Sequence, residues 1–172
     1  MSPPKKSPKS IVIGITGTPG TGKTYWAKVI QPILTANIVS DNDVARRSGA
    51  GSYDSSSNEV EVDITALRKI LIRKIKNTHH SLIIEGHLLC EMSLPLNGLI
   101  ILTCPVPILQ KRLRKRKYSD VKILDNCFCE ETHYCLKKAK KNYPHIPKWK
   151  GSTHRAKKVI RAELLEWIRR IH

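Results

Sequence analysis

A short apolar run followed by a glycine-rich loop constrains the fold of this chain more than any other stretch. The run is Ile11-Val-Ile-Gly-Ile15, and the loop has the pattern Gly-x-x-x-x-Gly-Lys-Thr over residues 17–24. In that pattern the glycines let backbone N–H groups surround a phosphate chain, and the following helix adds its positive N-terminus. The stretch therefore predicts a buried strand, a phosphate-binding P-loop and a helix, in that order.

The P-loop predicts a site for a nucleoside triphosphate. The Lys23 ammonium would reach the outer phosphates, and the Thr24 hydroxyl is a ligand for the Mg2+ that accompanies ATP. Lys23 is also predicted to be catalytic, because phosphoryl transfer depends on neutralising the charge of the transferred group. The predicted ATP contacts in this stretch are Gly17, Pro19, Gly20, Thr21, Gly22, Lys23, Thr24 and Tyr25.

Apolar strand patterns alternate with helical patterns along the rest of the chain. Strands are predicted over residues 10–15, 37–40, 81–85 and 98–102, and helices over 24–31, 63–76, 105–115, 122–142 and 154–172. The alternation predicts an α/β fold of the P-loop NTPase class, with a parallel sheet and helices on both faces. We expect one kinase-like domain over 10–172, a flexible basic tail at 1–9 and a loop at 49–58.

Polar residues after the predicted strands would meet at the carboxyl edge of the sheet, where ligands bind in such folds. Asp41 and Asp43 follow the second strand, Glu85 ends the third, and His87 comes two residues later. Glu85 is predicted to be catalytic, either completing the Mg2+ shell or acting as a general base. His87 is predicted to position water or phosphate, or to act as a base, since its pKa normally lies near neutrality.

A second concentration of charge lies at residues 111–117, where six of seven side chains are basic. Arg112 and Arg116 are four residues apart and share one helix face. Small nucleotide kinases use a mobile arginine-bearing lid to exclude water and to bring positive charge to the phosphates. The pattern predicts a small lid over about 115–125, with Arg112 and Arg116 as ATP contacts and Arg116 as a catalytic residue.

The charge of the chain indicates the kind of partner it binds, and its cysteine content indicates the redox state of its thiols. Lys and Arg number 31 against 14 Asp and Glu, and the formal charge of +17 favours polyanions such as RNA. The five cysteines show no disulfide pattern, so reduced intracellular thiols are expected, with a metal site at Cys127, Cys129, His133 and Cys135 as a less favoured alternative. Apolar runs are too short for a membrane span or signal peptide, so no membrane partner is expected.

Four stretches together make the chain resemble the atypical adenylate kinase family called adenylate kinase isoenzyme six, or coilin-interacting nuclear ATPase protein. They are the P-loop, Asp43-Val-Ala-Arg46, Ile83-Ile-Glu-Gly-His87, and the basic segment 112–118 with residues 122–130. The resemblance implies a nucleotide-monophosphate region at about 40–62, with Asp43 and Arg46 as AMP contacts, and Mg2+ near Thr24 and Glu85. The chain departs from the family where Glu85 replaces Asp and where Lys117 stands at a common Gly position.

The resemblance also implies nucleoside monophosphate kinase activity, ATP plus AMP to two ADP, together with ATPase activity and a role in small ribosomal subunit maturation. Implied partners are a platform ribosomal protein and rRNA, met by a monomer in the cytoplasm or, in a eukaryote, the nucleus. Since the Glu-Gly-His stretch has no arginine for AMP, an assembly ATPase with little kinase activity is an alternative. Another small-molecule kinase using Asp41 and Asp43 is a further one.

Overall fold

Five parallel strands form the central sheet in the part of the chain that the computed structural model describes, residues 10–54, 59–152 and 156–171. The strands in chain order are β1 Val12–Thr16, β2 Asn37–Ser40, β3 Gly51–Asp54, β4 Glu59–Val62, β5 Leu82–Glu85, β6 Gly98–Thr103 and β7 Lys148–Ser152. The sheet order is β2-β5-β1-β6-β7, while β3 and β4 form a separate antiparallel hairpin. The expected parallel α/β sheet is confirmed, with the P-loop strand at its centre.

Helices connect the strands and cover both faces of the sheet. They are α1 Lys23–Leu34, α2 Asp41–Ser48, α3 Ile64–Lys76, a 3₁₀ turn at Leu88–Glu91, α4 Val106–Lys115, α5 Asp120–Glu131, α6 Tyr134–Asn142 and α7 Ala156–Ile171. Successive residues of β1 point to opposite faces, so Val12 packs in one apolar cluster while Ile13 packs in the other. Leu67 of α3 covers the first cluster, and Trp26 of α1 with Leu164 of α7 covers the second.

A third and smaller apolar cluster joins α4 to α5. It contains Leu109 and Leu113 from α4, Ile123 and Cys127 from α5, and Cys104 from the segment after β6. The basic segment 111–117 includes the last part of α4, so this cluster packs the apolar face of that segment against α5.

Part of the stretch 49–58 is a strand, so the expectation of a loop is wrong for Gly51–Asp54. Gly51 pairs with Val62 and Ser52 pairs with Glu61 in an antiparallel register. The sequence of this hairpin is polar and turn-forming, which hid the strands, although Val62 packs against the core. Residues 55–58 and the predicted basic tail at 1–9 lie outside the described residues.

The single helix predicted over 122–142 is wrong, because the chain forms two helices there. α5 ends at Glu131 and α6 begins at Tyr134, and His133 between them has φ 55°. A residue in the left-handed region cannot continue a right-handed helix. The break lets Ile123 of α5 pack against α4, while Ala139 of α6 packs against the sheet.

The edge strand β7 is absent from the strands predicted above. It pairs with β6 in parallel from Leu99 with Lys148 to Thr103 with Ser152. Its Lys-Trp-Lys-Gly-Ser sequence has no apolar run, and a strand at a sheet edge needs less burial than a central one. Trp149 packs over Gly98, where an added Cβ would lie 2.6 Å from the indole ring.

Candidate active site

The P-loop lies close against the sheet. A Cβ on Gly17 would be 2.4 Å from the Leu102 carbonyl oxygen, and Gly17 has φ 144°, so only glycine fits at that position. The Thr21 hydroxyl donates to the Thr18 carbonyl oxygen at 2.8 Å and holds the loop in its curve. Gly22, at φ 101°, precedes the first residue of α1, so the helix N-terminus points into the loop. The backbone thus has the form of an anion-binding nest.

Lys23 lies inside this curve. Its Nζ donates to the carbonyl oxygens of Gly17 at 2.8 Å and Thr18 at 3.1 Å. Burial lowers the pKa of Lys23 from its ordinary value, and the nearby carboxylates of Asp41 and Glu85 oppose that shift. The two acids therefore help to keep the ammonium charged where phosphates would bind.

Thr24 and Glu85 are in direct contact beside Lys23. The Thr24 hydroxyl donates to Glu85 Oε1 at 3.1 Å, and the parallel register sets Glu85 next to Ile15 of β1 and Ser40 of β2. Hydroxyl and carboxylate oxygens are the ligands that Mg2+ prefers, so this pair fits the ion that accompanies ATP. Thr24 and Glu85 would hold the ion, which neutralises phosphate charge when bound.

Asp41, which the sequence placed at this edge of the sheet and in the alternative small-molecule kinase, is a fully buried acid. Its Oδ2 accepts the Leu88 N–H at 2.9 Å, whereas Oδ1 has no hydrogen-bond partner among the described residues. Burial raises the pKa of Asp41 to about 6, and the nearby Glu85 adds to that rise. The sequence feature linked to this buried acid is Gly86. Because glycine has no side chain, the Asp41 carboxyl group can fill the space next to it.

His87 stands between the phosphate end of the site and the region after β2. Burial lowers the pKa of His87 to about 4, and the Lys23 charge acts in the same direction. The imidazole is therefore neutral at pH 7 and can donate one hydrogen bond and accept another. That state fits the predicted role in positioning water or phosphate, whereas the lowered pKa makes His87 a weak base for the other predicted role.

Two adjoining cavities open at this edge of the sheet. The larger has a volume of about 890 Å³, and the predicted residues that line it are Pro19, Gly20, Gly22, Lys23, Thr24, Tyr25, Asp43, Glu85, His87 and Arg116. The smaller, about 300 Å³, is lined by Asn42, Asp43, Ala45, Arg46, Val62, His87 and Leu88. Asp43 and His87 contribute to both, so the two spaces meet at these side chains.

The two predicted lid arginines have different surroundings. Arg116 follows α4 and lines the larger cavity. Arg112 does not line it: its Nη1 donates to the Gly20 carbonyl oxygen at 3.1 Å and lies 3.8 Å from Cys104 Sγ, so it braces the P-loop. A direct contact of Arg112 with phosphate stays a prediction. Lys117, at the position where the resembled family has Gly, adopts φ 59°.

Glu130 is a functional candidate that the sequence analysis missed. It is buried in α5, where Oε2 accepts the Thr18 hydroxyl hydrogen at 2.6 Å and Oε1 accepts the Cys104 N–H at 2.7 Å. The acid therefore ties the P-loop to the helix after the lid segment. Glu130 is followed by a second Glu at the end of α5, and nothing in the local sequence distinguishes it from a solvent-exposed acid.

The alternative metal site receives no support from the described residues. Across 10–54, 59–152 and 156–171, no three His, Cys, Asp or Glu side chains are grouped to hold an ion. Cys127, Cys129 and Cys135 are free thiols. In the same ranges, none of the helices has the length and apolar character needed to cross a membrane.

Solved kinase structures share this fold. Shikimate kinase from Acinetobacter baumannii superposes with a TM-score of 0.60 at 16% identity, covering 94% of each chain. Deoxyadenosine kinase from M. mycoides, with bound dATP, superposes with a TM-score of 0.57 at 14% identity, covering 92% of this chain and 100% of that one. At such identities the likeness shows the fold alone. The chain therefore has the nucleoside-monophosphate-kinase-like fold of the P-loop kinases.

Archaeal relatives refine that class. A protein of Methanocaldococcus jannaschii named "putative adenylate kinase" is 29% identical over 158 residues, which are 91% of this chain and 85% of the relative. Proteins of the same name from Methanosarcina mazei and Pyrococcus abyssi are 31% and 34% identical over 75% and 70% of this chain. The match spans 63% of the Pyrococcus abyssi protein, less than two thirds of its length. Residues 13–133 match the family described as AAA domain, and the chain belongs to it as a divergent, adenylate-kinase-like member.

Proposed function

We propose that this protein transfers the γ-phosphoryl group of MgATP to nucleoside monophosphates, AMP above all, and also hydrolyses ATP. The contact of Thr24 with Glu85 at 3.1 Å, directly beside Lys23, carries the proposal, because it joins the P-loop to an acid at the position where phosphoryl transfer needs one. The relatives named as putative adenylate kinases support AMP as the acceptor.

The chemistry requires positioning and charge neutralisation more than covalent help. An oxygen of the AMP phosphate forms a bond to the γ-phosphorus of ATP, the bond from that phosphorus to the β,γ-bridging oxygen breaks, and two ADP result. Lys23 would neutralise the outer phosphates, and Thr24 and Glu85 would hold an Mg2+ that neutralises them further. Arg116, which lines the larger cavity, would add another positive charge.

AMP would occupy the smaller cavity, in the region that the family resemblance assigns to it. Arg46 Nη2 donates to Asp43 Oδ1 at 2.8 Å, and both side chains are largely exposed. An ion pair on the surface contributes little energy, so Arg46 can leave Asp43 and turn to an incoming phosphate at small cost. His87 lies where the smaller cavity meets the larger one and would contact the transferred group.

ATP hydrolysis would use the same donor site with water as acceptor. The neutral imidazole of His87 and the carboxylate of Glu85 would orient a water against the γ-phosphorus. If this reaction dominates, the protein is an assembly ATPase whose nucleotide state switches its affinity for a ribosomal partner.

A hydroxyl acceptor is the second candidate, favoured by Asp43. An alcohol must lose a proton when it attacks phosphorus, whereas the phosphate of AMP needs no base. The Asp43 carboxylate lines both cavities and would accept that proton, whereas Asp41 is fully buried and lines neither cavity. An enzyme of this kind would release ADP when given a polyol and would ignore AMP.

The rate of ADP formation from ATP with and without AMP separates these possibilities. We expect AMP to accelerate ADP formation and to be consumed in step with ATP, giving two ADP for each ATP used. If AMP changes nothing, nucleoside monophosphate transfer is excluded and hydrolysis or a hydroxyl acceptor remains.

Two arginines of the basic segment provide a matched test of the lid. Arg116→Ala should lower turnover by about tenfold or more, because the side chain that lines the larger cavity is lost. Arg114→Ala removes an exposed charge of α4 that does not line either cavity, and turnover should change less than about twofold. Equal effects of the two substitutions would contradict a specific role of Arg116.

We further propose a role in small ribosomal subunit maturation, as in the family that this chain resembles, for a monomer of the cytoplasm or nucleus. The formal charge of +17 supports binding to pre-ribosomal RNA. Pull-down of small-subunit rRNA and platform proteins, with ATP and with ADP, tests it. Binding should weaken steeply as salt rises, and no capture in either nucleotide state would exclude the role.

A further inference from the structure

Two cysteines from different elements meet on the wall of the larger cavity. Cys90 belongs to the 3₁₀ turn after β5, Cys135 belongs to α6, and both line the cavity. Both cysteines belong to the same buried cluster, and each thiol affects the pKa of the other. Cys90 Sγ also lies 3.1 Å from the His87 carbonyl oxygen, and Cys135 Sγ lies 3.9 Å from Thr18 Oγ1. The pair therefore contacts the P-loop on one side and the Glu85-Gly-His87 stretch on the other.

The backbone around the pair is held by contacts between α6 and the 3₁₀ turn. Asn142 Nδ2 donates to the Cys90 carbonyl oxygen at 2.7 Å, and the Tyr143 hydroxyl donates to the Leu89 carbonyl oxygen at 3.0 Å. Lys138 adds an ion pair with Glu91 at 3.1 Å. Cys135 lies on the same face of α6 as Lys138 and Asn142, so these contacts bring its side chain to the turn that carries Cys90.

The two thiols differ in acidity. The interaction with Cys90 and the charge of Lys23 lower the pKa of Cys135, against the effect of its burial. The interaction with Cys135, together with burial, raises the pKa of Cys90. Cys135 is therefore the attacking thiol, and Cys90 is the resolving thiol that attacks the oxidised Cys135. Redox-active cysteine pairs have the same division of roles.

We propose that Cys90 and Cys135 are an oxidative modification site, which hydrogen peroxide converts to a disulfide that weakens MgATP binding. The Cys135 thiolate attacks one peroxide oxygen, the S–O bond forms, the O–O bond breaks, and one water leaves after protonation. Cys90 sulfur then attacks Cys135 Sγ, the S–S bond forms, the S–O bond breaks, and a second water leaves. Two thiols are oxidised, one peroxide is reduced to two waters, and both thiol protons end in water.

The disulfide would act on nucleotide binding through the contacts that the thiols now make. Cys135 would turn from Thr18, whose carbonyl oxygen accepts a hydrogen bond from Lys23 Nζ at 3.1 Å. Cys90 would lose its S–H donor to the His87 carbonyl. Both changes reach residues that line the phosphate end of the cavity, and small displacements there weaken phosphate contacts.

Peptide mapping of the full chain after peroxide treatment, without reductant, tests the covalent step. We expect a Cys90–Cys135 cross-link, a loss of two of the five free thiols, and full reversal by dithiothreitol. Prior saturation with MgATP should slow the reaction several-fold, because the phosphates neutralise Lys23 and so disfavour the Cys135 thiolate. A cross-link to Cys129, which also lines the cavity, or no cross-link at all, would overturn the proposal.

Calorimetric titration with MgATP tests the consequence without reference to phosphoryl transfer, so its outcome is independent of the proposed kinase activity. We expect affinity to fall by about tenfold on oxidation and to recover on reduction. Cys90→Ser and Cys90→Ala should each lack the reversible cross-link, whereas Cys127→Ser, in the cluster between α4 and α5, should respond like the wild type. Unchanged affinity in the cross-linked wild type would contradict the regulatory part of the proposal.

Discussion

The carboxyl group of Asp41 fills the space that a side chain at Gly86 would occupy. A Cβ on Gly86 would lie 1.7 Å from Asp41 Cγ and within 1.9 Å of both carboxylate oxygens. Asp41 starts α2 and Gly86 follows β5, so this contact joins two elements whose ends form the candidate active site.

Gly86→Ala should therefore displace Asp41. The free energy of unfolding should fall by about 1–3 kcal/mol, the usual cost of overpacking, and ATP turnover should fall as well. Urea unfolding and an ADP-release assay measure the two effects. In Asp41→Ala/Gly86→Ala the clash is gone, so the double variant should lose less stability than the sum of the single variants. Strictly additive losses would contradict the contact.

Asp41→Asn should change how stability depends on pH. Burial raises the pKa of Asp41 from 3.8 to about 6, so between these values the native protein binds more protons at this residue than the unfolded chain does. Its contribution to the free energy of unfolding then falls as pH rises from about 4 to 6, by as much as about 3 kcal/mol. The variant should gain that amount relative to wild type above pH 6, because Asn can still accept the Leu88 N–H.

His87 changes the free energy of unfolding in the opposite direction over part of the same pH range. Its pKa is about 4 in the native state against an ordinary 6.5, so its contribution to stability is full above pH 6.5 and is lost as pH falls towards 4. The free energy of unfolding of the wild type should be subtracted from that of Asp41→Asn at each pH. His87 is present in both proteins, so the difference reports the contribution of Asp41 alone. A difference that does not grow with pH would show that the carboxyl is not buried as described.

The sequence predicted the centre of the site better than its surroundings. The P-loop, Glu85 and His87 could be placed because loop spacing and the carboxyl edge of parallel strands follow from local patterns. The position of Asp41 at this edge also followed from the pattern, but the burial of Asp41, Glu130 and Cys135 did not, because it depends on contacts with distant elements such as the 3₁₀ turn and the P-loop. The same reason applies to β7, whose polar sequence becomes a strand only against β6.

Lys23→Ala should reduce ATP turnover by about a hundredfold or more, since no other P-loop side chain supplies this charge to the outer phosphates. Lys28→Ala is the matched control, because Lys28 lies on the exposed face of the same helix and does not line either cavity. Its turnover should stay within about twofold of wild type. Comparable loss in the two variants would indicate damage to α1 instead.

His87→Ala should lower turnover more than ATP affinity, because the neutral imidazole is placed to contact the attacking group and the transferred phosphate. Steady-state rates and calorimetric ATP affinity separate the two effects. His79→Ala, an exposed histidine in the segment before β5, should alter neither. If rate and affinity fall together in His87→Ala, His87 serves binding or structure.

Lys117→Gly should stabilise the protein. Lys117 has φ 59°, a conformation that costs a residue with a Cβ about 1 kcal/mol and that glycine adopts freely. Glycine also raises the entropy of the unfolded chain, which offsets part of this gain. We therefore expect the free energy of unfolding, measured by thermal unfolding, to rise by about 0.5 kcal/mol. Lys115→Gly, in the last turn of α4, should destabilise by about 1 kcal/mol, and a loss in both variants would contradict the strain.

The position of β7 at the edge of the sheet sets the order in which the chain can be assembled. The P-loop, Glu85 and the cysteine pair all come from residues before β7, whereas the face of the sheet that holds Trp26 is covered by Trp149 and α7. During synthesis, the nucleotide site can form while α1 is the only helix that covers this apolar face among the described residues. ATP present at that stage would bind the half-covered sheet, and we expect it to protect the nascent domain from aggregation until its last strand emerges.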